Sequence, residues 1–209
     1  MLNTETITAI KDAAQSMSLW ELVAVILALA YLILAMKEKN SCWYAAFIST
    51  AIYLFLFWDV SLVMESALQV FYLVMAVYGW WQWRHHADKQ QNLTIHCWPL
   101  KTHLLVIAAV GLLTLIFGYG LAQKTHAALP YLDSFTTWGA VITTYMVTRK
   151  VLENWIYWIV IDAASVYLYI DRGLYLTALL FMLYVVLVII GFYQWNTLYK
   201  QERHEHANH

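Results

Sequence analysis

Apolar residues run through this chain in long blocks, and short polar clusters separate one block from the next. A helix needs about 20 apolar residues to cross a bilayer core, with a range of roughly 17–25. Seven blocks meet or approach that length: 19–36, 43–58, 62–83, 104–122, 133–148, 155–170 and 175–195. Trp and Tyr at the ends of the shorter ones extend them into the interface. The least apolar block, 133–148, contains Thr136, Thr137, Thr143 and Thr144. Threonine can return its hydroxyl to its own helix backbone, which makes it tolerable in lipid; lining a route is the other reading of these four. The predicted fold class is an all-α membrane protein with seven transmembrane helices.

Residues 43–83 reappear without a gap 112 positions later, at 155–195. Trp43 pairs with Trp155, Ala51 with Ala163, Asp59 with Asp171 and Tyr72 with Tyr184. Gly79-Trp80-Trp81-Gln82-Trp83 answers to Gly191-Phe192-Tyr193-Gln194-Trp195, and eleven of the 41 paired positions are identical. The first three spans and the last three therefore form two copies, with 104–122 as a linker helix between them. The fifth span begins four crossings after the first, an even number, so the copies point the same way. This predicts parallel three-helix repeats in a 3+1+3 order, of the kind that builds a transport pathway, with a midplane site between the two bundles. Gly79 and Gly191 are read as places of close packing or bending.

Composition agrees with lipid as the solvent. The 209 residues are 62% hydrophobic and 12% charged, with a mean hydropathy of +0.58, whereas soluble domains carry about 25% charged residues. Only 7 Gly and 2 Pro are present, which favours uninterrupted helices over a barrel. The net charge of −1 says nothing about partners, and no nucleic-acid partner is expected. Cys42 and Cys97 give no disulfide framework. The first 18 residues lack the pattern of a cleavable signal peptide.

Lys and Arg by side set the orientation. Lys37, Lys39, Arg84, Lys89, Lys101, Arg149, Lys150, Lys200 and Arg203 fall on one side, against Lys11, Lys124 and Arg172 on the other. This predicts a periplasmic N-terminal segment (1–18), a first bundle (19–83), a cytoplasmic loop (84–103), the linker (104–122), a second bundle (133–195) and a cytoplasmic tail (196–209) of a multi-pass protein in a bacterial inner membrane.

Polar groups inside the spans are the candidate chemistry. Trp155, Trp158 and Asp162 lie at i, i+3 and i+7, on one helix face, with Ser165 three residues further. Asp162 is about 10 Å deep at 1.5 Å per residue, where an acid costs about 2.5–3.5 kcal/mol on insertion scales, so it should face the bundle interior. A carboxylate beside indole faces suits a flat organic cation; accepting hydrogen bonds from a neighbouring helix is the structural alternative. Trp155, at a helix end, also reads as an interfacial anchor. Glu65, Gln69 and Tyr72 form a second stripe, and Gln69 offers both donors and acceptors. Glu65 either lines the site or pairs near the outer end, Glu21 is expected to cap the first span, and Tyr184 lies mid-span.

The histidines read as solvated: His85, His86, His96 and His103 in the loop, and His204, His206 and His209 in the tail, with no metal-ligand spacing. No phosphate-cradling loop, nucleophile elbow or zincin motif occurs, so neither an enzyme nor a cofactor is predicted.

The stretch Glu153-Asn154-Trp155-Ile156-Tyr157-Trp158-Ile159-Val160-Ile161-Asp162 resembles the Trp-x-x-Trp-x-x-x-Asn motif of the PnuC vitamin transporters. Thr148-Arg149-Lys150, Leu68-Gln69-Val70-Phe71-Tyr72, Tyr78-Gly79-Trp80 and Gly191 extend the likeness over residues 19–195. The resemblance implies a SWEET-like arrangement of the two bundles, a homotrimer, and uptake of nicotinamide riboside by facilitated diffusion, with phosphorylation by a cytoplasmic vitamin kinase. It assigns Trp155, Trp158, Asp162 and Gln69 to the pocket. Asp162 stands where the family motif has Asn. Nicotinamide riboside and thiamine are both flat cations and suit an acid there, a neutral flavin less so. A neutral sugar would have no use for it.

Overall fold

A computed structural model describes residues 4–59, 63–88, 93–124 and 129–207. They form eight helices: α1 (Thr4–Ser16), α2 (Leu19–Met36), α3 (Cys42–Asp59), α4 (Val63–Asp88), α5 (Leu100–Lys124), α6 (Pro130–Thr148), α7 (Asn154–Asp171) and α8 (Tyr175–Ala207). Among the described residues, four segments are long and apolar enough to cross a membrane: Leu19–Met36, Cys42–Asp59, Leu100–Gln123 and Tyr175–His204. Besides the short α1, the helices that fall short are α4, α6 and α7, which carry Gln69, the threonines and Asp162. Polar residues in a span are rare because each must be hydrogen-bonded or face protein.

Several helix ends differ from the expected blocks. α4 continues to Asp88 and α8 to Ala207, so part of the predicted loop and most of the predicted tail are helical. Hydropathy marks where lipid ends, whereas a helix runs on wherever its residues are good helix formers. α5 starts at Leu100, directly after Pro99, whose carbonyl accepts from Thr102 N at 2.9 Å and His103 N at 3.3 Å. His103, assigned to the loop, is therefore in the first turn of α5. The expected cap Glu21 is corrected as well: Ser18, in extended conformation, is the N-cap of α2, and its hydroxyl accepts from the Glu21 backbone N–H at 3.1 Å. Ser18 and Glu21 have the Ser-x-x-Glu spacing of a capping box. Lys89 and His209 lie outside the described residues, as do the side chains of Glu65, His86, Lys124 and His206.

The chain divides into two compact units. One comprises Ser16–Ile95, Val147–Lys150 and Tyr193–His209. Within it α3 packs on both α2 and α4. The Ser49 hydroxyl donates to Ala24 O at 2.8 Å, tying α3 to α2. Trp43, 2% exposed, meets Trp83 edge-on at 5.3 Å and fills the notch at Gly79, where an added β-carbon would overlap its ring.

The other unit comprises Met1–Gln15, His96–Met146 and Val151–Phe192. Here the expected linker, α5, packs with α6: Phe117 lies 4.8 Å from Trp138, and Gly118 accommodates Tyr131. Arg172 donates to Asp133 at 2.7 Å. Trp155 fills a notch at Gly191, as its repeat mate Trp43 does at Gly79. The close-packing reading of both glycines holds in each copy.

The backbone carries the duplication further than residue identity does. α2 and α6 end in the same turn, 112 positions apart. Lys39 N donates to Leu34 O and Val151 N to Met146 O, each at 3.0 Å. Glu38 and Lys150 occupy the left-handed region at φ 51° and 54°. This is the helix-ending geometry usually given to Gly or Asn. In the first unit these two mates meet: Lys150 Nζ lies 2.7 Å from Glu38 Oε2 and 5.0 Å from the centre of the Trp83 ring. Trp83 Nε1 donates to Thr148 O, and its mate Trp195 donates to Ala35 O, each at 3.2 Å.

Candidate functional site

The polar stripe on α7 is where periodicity placed it. Asp162 is 4% exposed and Ser165 5%, Trp158 is half-buried and Trp155 is 1% exposed. Ser165 donates its hydroxyl to Ile161 O at 2.9 Å. Asp162, by contrast, accepts no hydrogen bond and forms no ion pair among the described residues. The alternative in which this carboxylate joins neighbouring helices through their hydroxyls therefore has no support among those residues. A buried, unpaired acid is costly and calls for a partner. Trp155 is not an interfacial anchor: its burial against Gly191 fixes the start of α7 on α8.

Gln69 and Tyr72 are half-buried on α4, and Tyr72 meets Phe71 at 5.5 Å. Tyr184, half-buried on α8, lies edge-on to Phe181 at 5.4 Å. Trp155, Trp158, Asp162 and Tyr184 belong to one unit, and Glu65, Gln69 and Tyr72 to the other. The repeat does not duplicate this chemistry, since Thr50 is the mate of Asp162 and Phe181 the mate of Gln69. Three of the α6 threonines are bonded to backbone: Thr143 to Gly139 O and Thr144 to Ala140 O at 2.8 Å, and Thr136 to Asp133 O at 3.0 Å.

A second polar group, unforeseen from the sequence, sits at the start of α5 and α7. His103 Nδ1 and the Tyr157 hydroxyl share a hydrogen bond of 2.9 Å, and Glu153 Oε1 lies 3.7 Å from His103 Nε2. Trp98 N donates to Glu153 Oε2 at 3.3 Å, and Leu152 N to His96 O at 2.9 Å. The paired residues are 50 to 56 positions apart and share no motif, so nothing local in the sequence marks the group. No cluster of His, Cys, Asp and Glu able to hold a metal occurs among the described residues.

The profile of the nicotinamide mononucleotide transporter family matches residues 18–197, from the cap of α2 into α8, and so spans both repeats. This chain belongs to that family. It is 26% identical over 200 residues to the nicotinamide riboside transporter PnuC of Escherichia coli, covering 84% of each chain. It is 25% identical over 182 residues to the riboflavin/roseoflavin transporter RibM of Streptomyces davaonensis, covering 84% of this chain and 83% of the other. The crystal structure of the vitamin B3 transporter PnuC matches with a TM-score of 0.66 at 21% identity, over 86% of this chain and 81% of that one. At that identity the structural likeness speaks for the fold alone. The family and these relatives are transporters rather than enzymes, and the chain is a multi-pass membrane protein.

Proposed function

We propose that this protein carries a cationic vitamin precursor across a bacterial inner membrane, with nicotinamide riboside as the substrate. The observation that carries the reading is Asp162, buried and unpaired among the described residues, one turn from half-buried Trp158, in a member of this family. The pyridinium ring of the riboside stacks on Trp158, and its charge is balanced by the carboxylate. Trp155 holds α7 in place for that contact. Gln69 reads the amide edge, with Tyr72, Tyr184 and Glu65 as further contacts. Thiamine, also a flat cation, is the second reading. Riboflavin, named for one relative, is neutral and leaves the acid without a counter-charge.

In this reading seven helices span the membrane as two parallel repeats around a linker, SWEET-like, with the N-terminus periplasmic and the C-terminus cytoplasmic. Transport is facilitated diffusion by alternating access. The carrier works as a homotrimer, and a cytoplasmic kinase traps the product. Counterflow in proteoliposomes tests the proposal: labelled nicotinamide riboside should exchange and a labelled sugar should not. Exchange of neither nicotinamide riboside nor thiamine would overturn it. Binding seen by tryptophan quenching without counterflow would make the protein a receptor instead.

A further inference from the structure

α7 has two working faces. At 3.6 residues per turn, Trp155, Trp158, Asp162 and Ser165 stand on one side, while Glu153, Ile156, Tyr157 and Val160 stand on the opposite side. The second face, with α5 and α6, bounds a cavity of about 460 Å³. Three of its lining residues, Ile107, Val160 and Ile156, are 56%, 53% and 44% exposed, so the cavity is a groove open along its length. Gly139 on α6 gives it depth, with the Ile161 side chain packed against that glycine. The wall from Ile107 to Val160 is hydrocarbon, and α5 is one of the helices apolar enough to cross a membrane. The medium such a groove meets is acyl chain. An unfilled groove would forfeit dispersion contacts on one side of every lining residue.

One end of the groove is polar: His103, Glu153 and Tyr157, at the starts of α5 and α7. Glu153 occupies the N-cap position of α7, yet its side chain does not cap that helix. Among the described residues its carboxylate receives only a long bond from Trp98 N at 3.3 Å and stands 3.7 Å from the imidazole. A carboxylate has about four lone-pair sites, so Glu153, its side chain 21% exposed, retains acceptor capacity. An acceptor acid with an apolar channel behind it complements an ammonium and a hydrocarbon chain.

We infer that the groove between α5, α6 and α7 is a binding site for a phospholipid with a primary ammonium headgroup. One acyl chain lies along Ile107, Ile156 and Val160, and the ammonium donates to Glu153. A quaternary ammonium has no N–H to donate, and an anionic headgroup meets Glu153 with like charge. The lipid occupies the back of the helix that carries Trp158 and Asp162 and so braces it. The inference concerns lipid retention and stands whichever vitamin is carried.

The test is native mass spectrometry of the purified full chain, delipidated and then offered phosphatidylethanolamine, phosphatidylcholine and phosphatidylglycerol in equal amounts. Wild type should retain phosphatidylethanolamine in several-fold excess over the other two. Glu153→Gln should bring it down to the level of phosphatidylcholine, and Val160→Trp, which fills the groove, should abolish retention of both. Ile156→Trp serves in place of Val160→Trp if that variant does not fold by circular dichroism. Equal retention of the three lipids by wild type overturns the inference, as does an unchanged preference in Glu153→Gln. So does a groove-filling variant that dissociates an oligomer with no change in bound lipid, because the groove then belongs to a second copy of the chain.

Discussion

Gly191→Ala is the sharpest probe of how α7 is held. A β-carbon at Gly191 would overlap the ring of Trp155, which is 1% exposed and cannot swing aside without leaving the core. Overpacking of this kind costs about 1–3 kcal/mol. Replacing Gly by Ala inside a helix returns about 0.8–1.0 kcal/mol of propensity, which blurs the result for any single variant. Gly111, in α5, removes the ambiguity because an added β-carbon there meets nothing within 4 Å. Gly111→Ala receives the propensity gain alone, so the difference between the two variants isolates the overlap. Gly191→Ala should fall about 1–3 kcal/mol below Gly111→Ala. Gly79→Ala, against Trp43, should fall with it, since the notch is built the same way in the other unit. Thermal unfolding in lipid nanodiscs, followed by tryptophan fluorescence, ranks the three. A Gly191→Ala protein that melts at or above Gly111→Ala would refute the packing argument. Opposite shifts for Gly79→Ala and Gly191→Ala would refute the equivalence of the two notches.

The remaining predictions concern charge and stacking. Asp162→Asn should fold normally and raise the half-saturation concentration for a cationic substrate at least about tenfold, equivalent to about 1.4 kcal/mol; counterflow indistinguishable from wild type for every candidate would remove Asp162 from the site. Trp158→Ala should weaken uptake by the 0.5–2 kcal/mol of a lost cation–π contact, roughly 2- to 30-fold, and unchanged uptake kinetics would rule out stacking there. A double-mutant cycle with Glu38→Gln and Lys150→Gln should give a coupling energy on the order of 1 kcal/mol for this mostly buried pair. The exchange of Glu38→Lys with Lys150→Glu should recover the ion pair but take the cation off Trp83, leaving it about 0.5–1 kcal/mol short. Additive single variants would show that the contact contributes nothing.

Local order was legible before any coordinate. Leu19–Met36 appeared with the expected bounds, because an apolar run of bilayer length has few other ways to satisfy its backbone in lipid. The shared face of Trp155, Trp158, Asp162 and Ser165 followed from helical geometry, which depends only on spacing. The 112-residue repeat was equally plain, since duplication leaves its record in residue order. What packing decided lies between positions far apart in the chain. The sequence gives no reason to bring His103 to Tyr157, and the placement of His103 in a solvated loop failed once α5 began at Leu100. Trp155 could be an anchor or a core residue, and only the notch at Gly191 chose between them. The matching turns at Glu38 and Lys150 share no residue type, so identity scoring passes over them while the backbone repeats them hydrogen bond for hydrogen bond. Periodicity and composition are properties of neighbours along the chain, and they determined the helices, the repeat and the acid's face. Burial and partnership depend on which distant side chains arrive to share the same volume, and that is why the groove behind Asp162, and the lack of a partner for it among the described residues, emerged only from the tertiary structure.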